Sequence, residues 1–225
     1  MITRILAVLL GTALAGSIAV AHPLHGVILS KDGRVTSVTH GSGFYVPPPP
    51  HNDGTAPVFS NIGTKYPLGL YFCCSGATVS GPDSEIGFQS WPAMQFTPSA
   101  DVSVTEIDVA VERITGTDEI DIGLYTDANG VPGTLLKSFT ATGLQGNGGC
   151  CGFAIGRDKQ GIPIAGGTPY WVAVTTDTGG MDTFANWMFN TTDQLDAVPS
   201  AVNKGSGWVT NGGAVPAATF AVYGK

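Results

Sequence analysis

Charge is scarce in this chain. Only 12% of its 225 residues are Asp, Glu, Lys or Arg, and ten Lys+Arg stand against seventeen Asp+Glu, for a net charge of −7. A nucleic-acid partner needs a clustered basic face, and ten cations scattered along the chain do not form one. An anionic membrane surface is disfavoured for the same reason. No long apolar segment follows Ala21, so no membrane span is expected in the mature chain. Apolar residues spaced at the helical period are also rare. Cysteine is confined to Cys73, Cys74, Cys150 and Cys151. Adjacent cysteines fit a four-cysteine zinc site poorly, because such sites use spaced ligands. No serine stands in Gly-x-Ser-x-Gly; Gly41-Ser42-Gly43 and Gly205-Ser206-Gly207 are too short for that motif and read as flexible turns. Lacking a catalytic set, the chain is read as a non-enzyme, with no catalytic residue, cofactor or metal expected.

Glycine and proline, in contrast, are plentiful, at 32 and 15 residues. They favour many short strands joined by tight turns. The 43% of hydrophobic residues, gathered in strand-like runs, argues against disorder. The first residues have a different character. Met1-Ile2-Thr3-Arg4 gives a short positive start, Ile5 to Ala15 is apolar, and Ala19 and Ala21 place small residues at −3 and −1 before His22. This is the layout of a secretory signal over residues 1–21, with a mature chain of 204 residues starting at His22. Gly11, Thr12, Gly16 and Ser17 interrupt the apolar run too often for a membrane span. The expected location is secreted, extracellular or periplasmic. The mature chain is expected to be soluble, or held to a surface by binding rather than by a covalent anchor.

Residues 22–56 read as an extension. It holds a small hairpin, Val27 to Ser30 and Val35 to Val38, around Asp32-Gly33, and then a stiff stretch from Pro47 to Pro50. The main domain spans residues 57–225. Strand signals recur there: Leu68 to Phe72, Glu85 to Phe96 with a break at Pro92, Leu135 to Thr142, Tyr170 to Thr175, Phe184 to Asn190 and Phe220 to Tyr223. Val102 and Val104 alternate in one parity and Ile107, Val109 and Val111 in the other, which predicts a β-bulge near Thr105. Ile120, Ile122 and Leu124 alternate with Glu119, Asp121 and Tyr125, the pattern of a half-buried strand with a polar outer face. The fold class expected is all-β, a two-layer antiparallel sandwich of the jelly-roll kind.

The order of several short motifs resembles the secreted bacterial choice-of-anchor domains, most closely type R. The matching residues are Val58-Phe59-Ser60-Asn61, Met94-Gln95-Phe96-Thr97-Pro98, Gly123-Leu124-Tyr125-Thr126-Asp127 and Gly130-Val131-Pro132-Gly133. Further on are Tyr170-Trp171-Val172-Ala173-Val174, Gly205-Ser206-Gly207-Trp208 and Phe220-Ala221-Val222-Tyr223-Gly224. The resemblance covers about the last three quarters of the chain. It implies an extracellular β-sandwich of no established activity. Such domains usually carry a surface anchor downstream, and this chain stops at the domain's end.

Export gives the cysteines an oxidising setting, and their even number points to disulfides. A bridge within a neighbouring pair closes a strained ring, since adjacent Cα atoms are only about 3.8 Å apart. Bridges from the Cys73/Cys74 pair to the Cys150/Cys151 pair are therefore preferred. They would contribute on the order of 4 kcal/mol for a loop of roughly 77 residues. Two parallel bridges need irregular backbone, which Gly76, Gly148, Gly149 and Gly152 can supply. Vicinal, redox-switching bridges are the alternative.

Other groups in the chain bear on chemistry. His22, as a free N-terminal residue, presents its amine and ring in the manner of copper-dependent oxygenases, with His25, His40 or His51 as a third nitrogen. All four histidines lie in the extension, so copper is the lesser reading. Asp127-Ala128-Asn129-Gly130 resembles the start of a calcium loop, but Ser138 stands where the loop needs Glu, and a plain turn is the better reading. Glu119 and Asp121 share a strand face and are read as solvated residues of that face. Asn190-Thr191-Thr192 fits a glycosylation sequon. Of the tryptophans, Trp171 and Trp187 read as core, Trp91 as either, and Trp208 as the loop-borne residue best suited to stack on sugar. The functional expectation is a non-catalytic extracellular binding or structural module. A carbohydrate-binding module using Trp208 and a copper enzyme using His22 are the alternatives. Expected partners are an extracellular glycan or a cell-surface protein.

Overall fold

The computed structural model describes residues 27–29, 34–37, 56–63, 69–72, 75–149, 151–177, 179–191, 198–211 and 216–225, the first two stretches as backbone only. The signal segment, the four prolines, all four histidines and Cys73, Cys74 and Cys150 lie outside the described residues.

The described chain is all-β. In order its strands are β1 Val27–Leu29, β2 Arg34–Ser37, β3 Pro57–Ser60, β4 Ser75–Ser80, β5 Trp91–Phe96 and β6 Val102–Val109. Next are β7 Val111–Thr115, β8 Glu119–Asp127, β9 Pro132–Thr142, β10 Gln145–Gly146 and β11 Ala154–Ile164. The last are β12 Tyr170–Thr175, β13 Phe184–Met188, β14 Ser200–Asn203, β15 Trp208–Thr210 and β16 Phe220–Gly224. They form three sheets, ordered β1-β2-β4-β13-β7-β10, β11-β6-β16-β3 and β15-β14-β5-β12-β8-β9.

Apolar side chains from all three sheets meet in one core, which makes the arrangement sandwich-like. The β5/β12/β8 sheet contributes Met94, Phe96, Ile120, Ile122, Leu124, Val172 and Val174. The other two sheets are joined where β6 runs into β7 through the buried Ala110. Ala110 donates its N–H to the Thr219 carbonyl at 3.1 Å and accepts from the Met188 N–H at 2.8 Å. The strand thus turns from one sheet into the next with its backbone groups still bonded. Antiparallel pairing was expected throughout, but β10 pairs parallel to β7.

Local chemistry explains most of the strands. In β8 the alternate residues Ile120, Ile122 and Leu124 fill the core. β12 is buried along its whole length, because Tyr170, Val172 and Val174 face the core while Trp171 and Ala173 belong to a cluster on the opposite face. The bulge expected near Thr105 is present. Tyr223 and Gly224 of β16 pair with Glu106 and Val104, so β6 has one extra residue, and on the other side Arg157 and Ile162 of β11 flank a register shift. The hairpin of β1 and β2 forms with Leu29 opposite Val35 and adds to the main domain through β4.

Three expected strands differ. Residues 69–72 form no strand; Leu70 and Tyr71 are instead buried in a small cluster of their own. The strand expected from Glu85 begins only at Trp91, since residues 85–90 turn and bend. Pro92 lies inside it, and β12 pairing ends at Ala93, so no donor is missed. The strand expected over Phe184 to Asn190 ends at Met188, and Phe189 forms only an isolated bridge to Ala218. β4, with sequence Ser-Gly-Ala-Thr-Val-Ser, lacks the bulky residues that announce a strand, yet it pairs with β13 along five residues, Gly76 to Ser80.

Candidate functional site

The face of the β15-β14-β5-β12-β8-β9 sheet that points away from the core brings together aromatic rings and carboxylates. Cross-strand register sets which side chains share it. Trp171 is opposite Gln95 and Tyr125, Ala173 opposite Ala93 and Gly123, and Thr175 opposite Asp121. On the far side Ala201 is opposite Ala93, and Asn203 opposite both Trp91 and Trp208. The central strands thus lay a floor of small residues, Ala93, Ala173, Ala201 and Gly123, beside the fully buried Trp171.

Two rings cross that floor. The Tyr125 ring packs against Gly123, where a Cβ would come within 2.4 Å of its Cε2 atom. The half-buried Trp208 packs against it with centroids 5.9 Å apart and planes at 70°. β15 and β8 are separated by three strands in the sheet order, so the face must curl for their side chains to meet. The small floor residues leave the volume the rings occupy.

Polar groups fix this arrangement. The Asp127 carboxylate accepts from Trp171 Nε1 at 2.8 Å, Gln95 Nε2 at 3.0 Å and the Gly130 N–H at 3.2 Å. Trp91 Nε1 donates to Thr176 Oγ1 at 3.0 Å. Asn203 Oδ1 accepts from Gln89 and from the N–H groups of Gly205 and Gly207, setting the loop that delivers Trp208. Asp177, exposed just past β12, accepts from Thr175 Oγ1 at 2.7 Å. Burial, and then the charges of Asp177 and Asp121, push the Tyr125 phenol up to about 12, so it is a neutral O–H at physiological pH.

Trp208 heads β15 rather than sitting in a loop, and its ring is partly covered by Tyr125. Trp187 is in the main core, donating to the Thr219 carbonyl at 2.8 Å. Trp171 is equally buried but on the opposite side of its sheet, under the aromatic face. Asp121 is not solvated as expected. It is 1% exposed and accepts from Thr140 Oγ1 of the adjacent β9 at 2.7 Å. Residues 128–131 form a tight turn: Ala128 N–H meets the Val131 carbonyl at 2.8 Å, with positive φ at Asn129 and Gly130. Cys151 is fully buried and disulfide-bonded, packed with Leu70, Tyr71, Ala110 and Met188. His22, His25, His40 and His51 lie outside the described residues.

Tyr125, Gly123 and the alanine floor were missed in the sequence. The signal was the repetition of small and aromatic residues two apart, in Trp91-Pro92-Ala93, Gly123-Leu124-Tyr125 and Trp171-Val172-Ala173. It acquires meaning only once those strands are known to be neighbours.

No family model matches the chain, and no curated protein matches it. A solved structure, that of the cysteine protease and lectin-like domains of Cwp84, a surface layer associated protein of Clostridium difficile, shares 10% identity with a TM-score of 0.40. It covers 61% of this chain, and this chain spans 32% of that one. That is a distant likeness of shape, from which no ligand or activity follows.

Proposed function

We propose that this protein is a secreted, non-catalytic binding module that holds an extracellular glycan on the outer face of its β15-β14-β5-β12-β8-β9 sheet. The observation that carries the reading is the Tyr125–Trp208 pair laid over a floor of small residues and bordered by hydrogen-bonding side chains. Apolar ring faces beside polar acceptors match the two-sided chemistry of a sugar, which offers C–H bonds on one face and hydroxyls at its edge. The signal-like residues 1–21 support export, and the short motifs quoted above support kinship with the choice-of-anchor domains. The jelly-roll reading is supported by strand order: β4-β13-β7/β6-β11 against β5-β12-β8-β9 is the sequence of strands two interlocked Greek keys would give.

The test is a glycan array probed with the protein and with Trp208→Ala. Retention of the protein on at least one glycan, weakened about tenfold or more in the variant, is the expected result. Trp208 is half-buried, so the variant should lose about 1–2 kcal/mol of stability, less than a core tryptophan, and remain folded. Binding unaffected by the substitution would move the site elsewhere, and capture of a surface protein in place of any glycan would replace the reading.

A further inference from the structure

The same face carries a charge pattern that narrows the ligand. Its outward residues include Glu119, Asp121 and Asp127 on β8, with Asp177 just beyond β12. Lys137 is the only Lys or Arg in the six strands of the sheet. It sits opposite the core residue Leu124 rather than on the aromatic face, and its Nζ pairs with Asp158 of β11 at 3.1 Å. The strands therefore carry carboxylates on this face and no cation, although the exposed Lys204 stands at one end of it, in the turn between β14 and β15. Asp177 and Asp121 both act on the Tyr125 phenol, so a polyanion laid on that ring meets repulsion within the Debye length of about 8 Å at physiological salt.

The acidic groups are not equivalent. Asp127 already accepts three hydrogen bonds, and Asp121 is buried and bonded to Thr140. Asp177 is exposed, shares its carboxylate with the Thr175 hydroxyl, and lies near the Tyr125 phenol. It is the acidic group best placed to take a hydrogen bond from a ligand, and Tyr125, packed on its glycine beside Asp177, is the ring best placed to contact one.

Building on the proposed glycan-binding role, we infer that the face selects a neutral polysaccharide, with a sugar ring laid on Tyr125 beside Trp208 and a hydroxyl of that sugar donated to Asp177. Apolar stacking supplies attraction that no charge on the sugar is needed for. The carboxylates accept hydroxyl protons and exclude uronic acids and sulfated sugars.

Affinity electrophoresis of the secreted protein separates the possibilities, with neutral polymers (hydroxyethylcellulose, xyloglucan, glucomannan) and anionic polymers (polygalacturonate, alginate) cast in the gels. Retardation by at least one neutral polymer and by neither anionic one is expected. Tyr125→Ala should weaken that retardation about tenfold or more, and Asp177→Asn, an exposed and sterically mild change, by about tenfold. Tyr125→Phe should keep most of it, because the ring remains. Melting temperatures of the variants show whether Tyr125→Ala has merely unfolded the face, in which case Asp177→Asn alone decides. Retardation by polygalacturonate or alginate overturns the inference while leaving the glycan-binding role intact. Neutral-polymer binding indifferent to Asp177→Asn overturns it in the same way. No retardation by any polymer overturns both.

Discussion

Single carboxylates behave differently here according to what surrounds them. Asp108 on β6 is 2% exposed, beside Glu106 on its own strand, Arg157 on β11 and Tyr223 on β16. Burial, then the Glu106 charge and a hydrogen bond with it, raise Asp108 from 3.8 to about 8, with Arg157 acting in the opposite sense. The same neighbourhood pushes the Tyr223 phenol up. Folded protein thus holds a proton on Asp108 that the unfolded chain releases near its ordinary value. This group's contribution to stability is full below about pH 4 and declines as the pH rises to about 8. Asp108→Asn cannot ionise and should remove that decline. Urea midpoints of both proteins at about pH 5 and about pH 8 check it. An equal drop in both proteins between those pH values would refute the account. From the sequence Asp108 is one of several alternating acids, and nothing local distinguishes it from the half-buried Asp158, whose carboxyl is held low by its hydrogen bond with Lys137.

At the scale of elements, turns and corners do more than strand propensity. Asn129-Gly130 closes the β8–β9 hairpin with φ of 58° and 85°, and only glycine adopts the second without strain. Gly130→Ala should cost about 1 kcal/mol, measured by chemical denaturation, with nothing within 4 Å to add a clash. A neutral result would mean that the hairpin is held by its strands alone. This turn was legible in the sequence, since Asn-Gly flanked by alternating residues is the strongest short hairpin signal. The corner at Ala110 was not. Its neighbours Val109 and Val111 are apolar and of one parity, so they read as a single strand. Bonds to Thr219 and Met188, more than seventy positions away, turn that strand into a second sheet.

Over the whole molecule, the small cluster around Cys151 brings together the two cysteine-bearing stretches. Tyr71 donates to Glu112 Oε1 at 2.8 Å and Gly148 N–H to Glu112 Oε2 at 2.6 Å, so one fully buried carboxylate ties residues just before Cys73 to those just before Cys150. Tyr71 and Phe153 pack edge to face at 5.7 Å. This proximity favours bridges between the pairs over bridges within them. Non-reducing peptide mapping should recover fragments joining the 73/74 stretch to the 150/151 stretch, and reduction should lower stability by about 2–5 kcal/mol. Fragments linked only as Cys73–Cys74 and Cys150–Cys151 would contradict the pairing.

The sequence by itself determined what depends on neighbours in the chain: the alternation that makes β8 a half-buried strand, the parity change that makes the bulge in β6, the Asn-Gly turn, and the overall shortage of positive charge. Each is a matter of backbone geometry or composition within a few residues. The tertiary structure decided what depends on strand order. It placed Trp171 and Trp187, equally buried, on opposite sides of a layer. It buried Asp108 and Asp121 while leaving Asp177 in water. It also carried Trp208 across three strands to Tyr125. The period of two gives a residue's parity within its strand, but parity becomes a face, and a face becomes a site, only when hydrogen-bonded pairing between distant segments fixes which strands lie side by side.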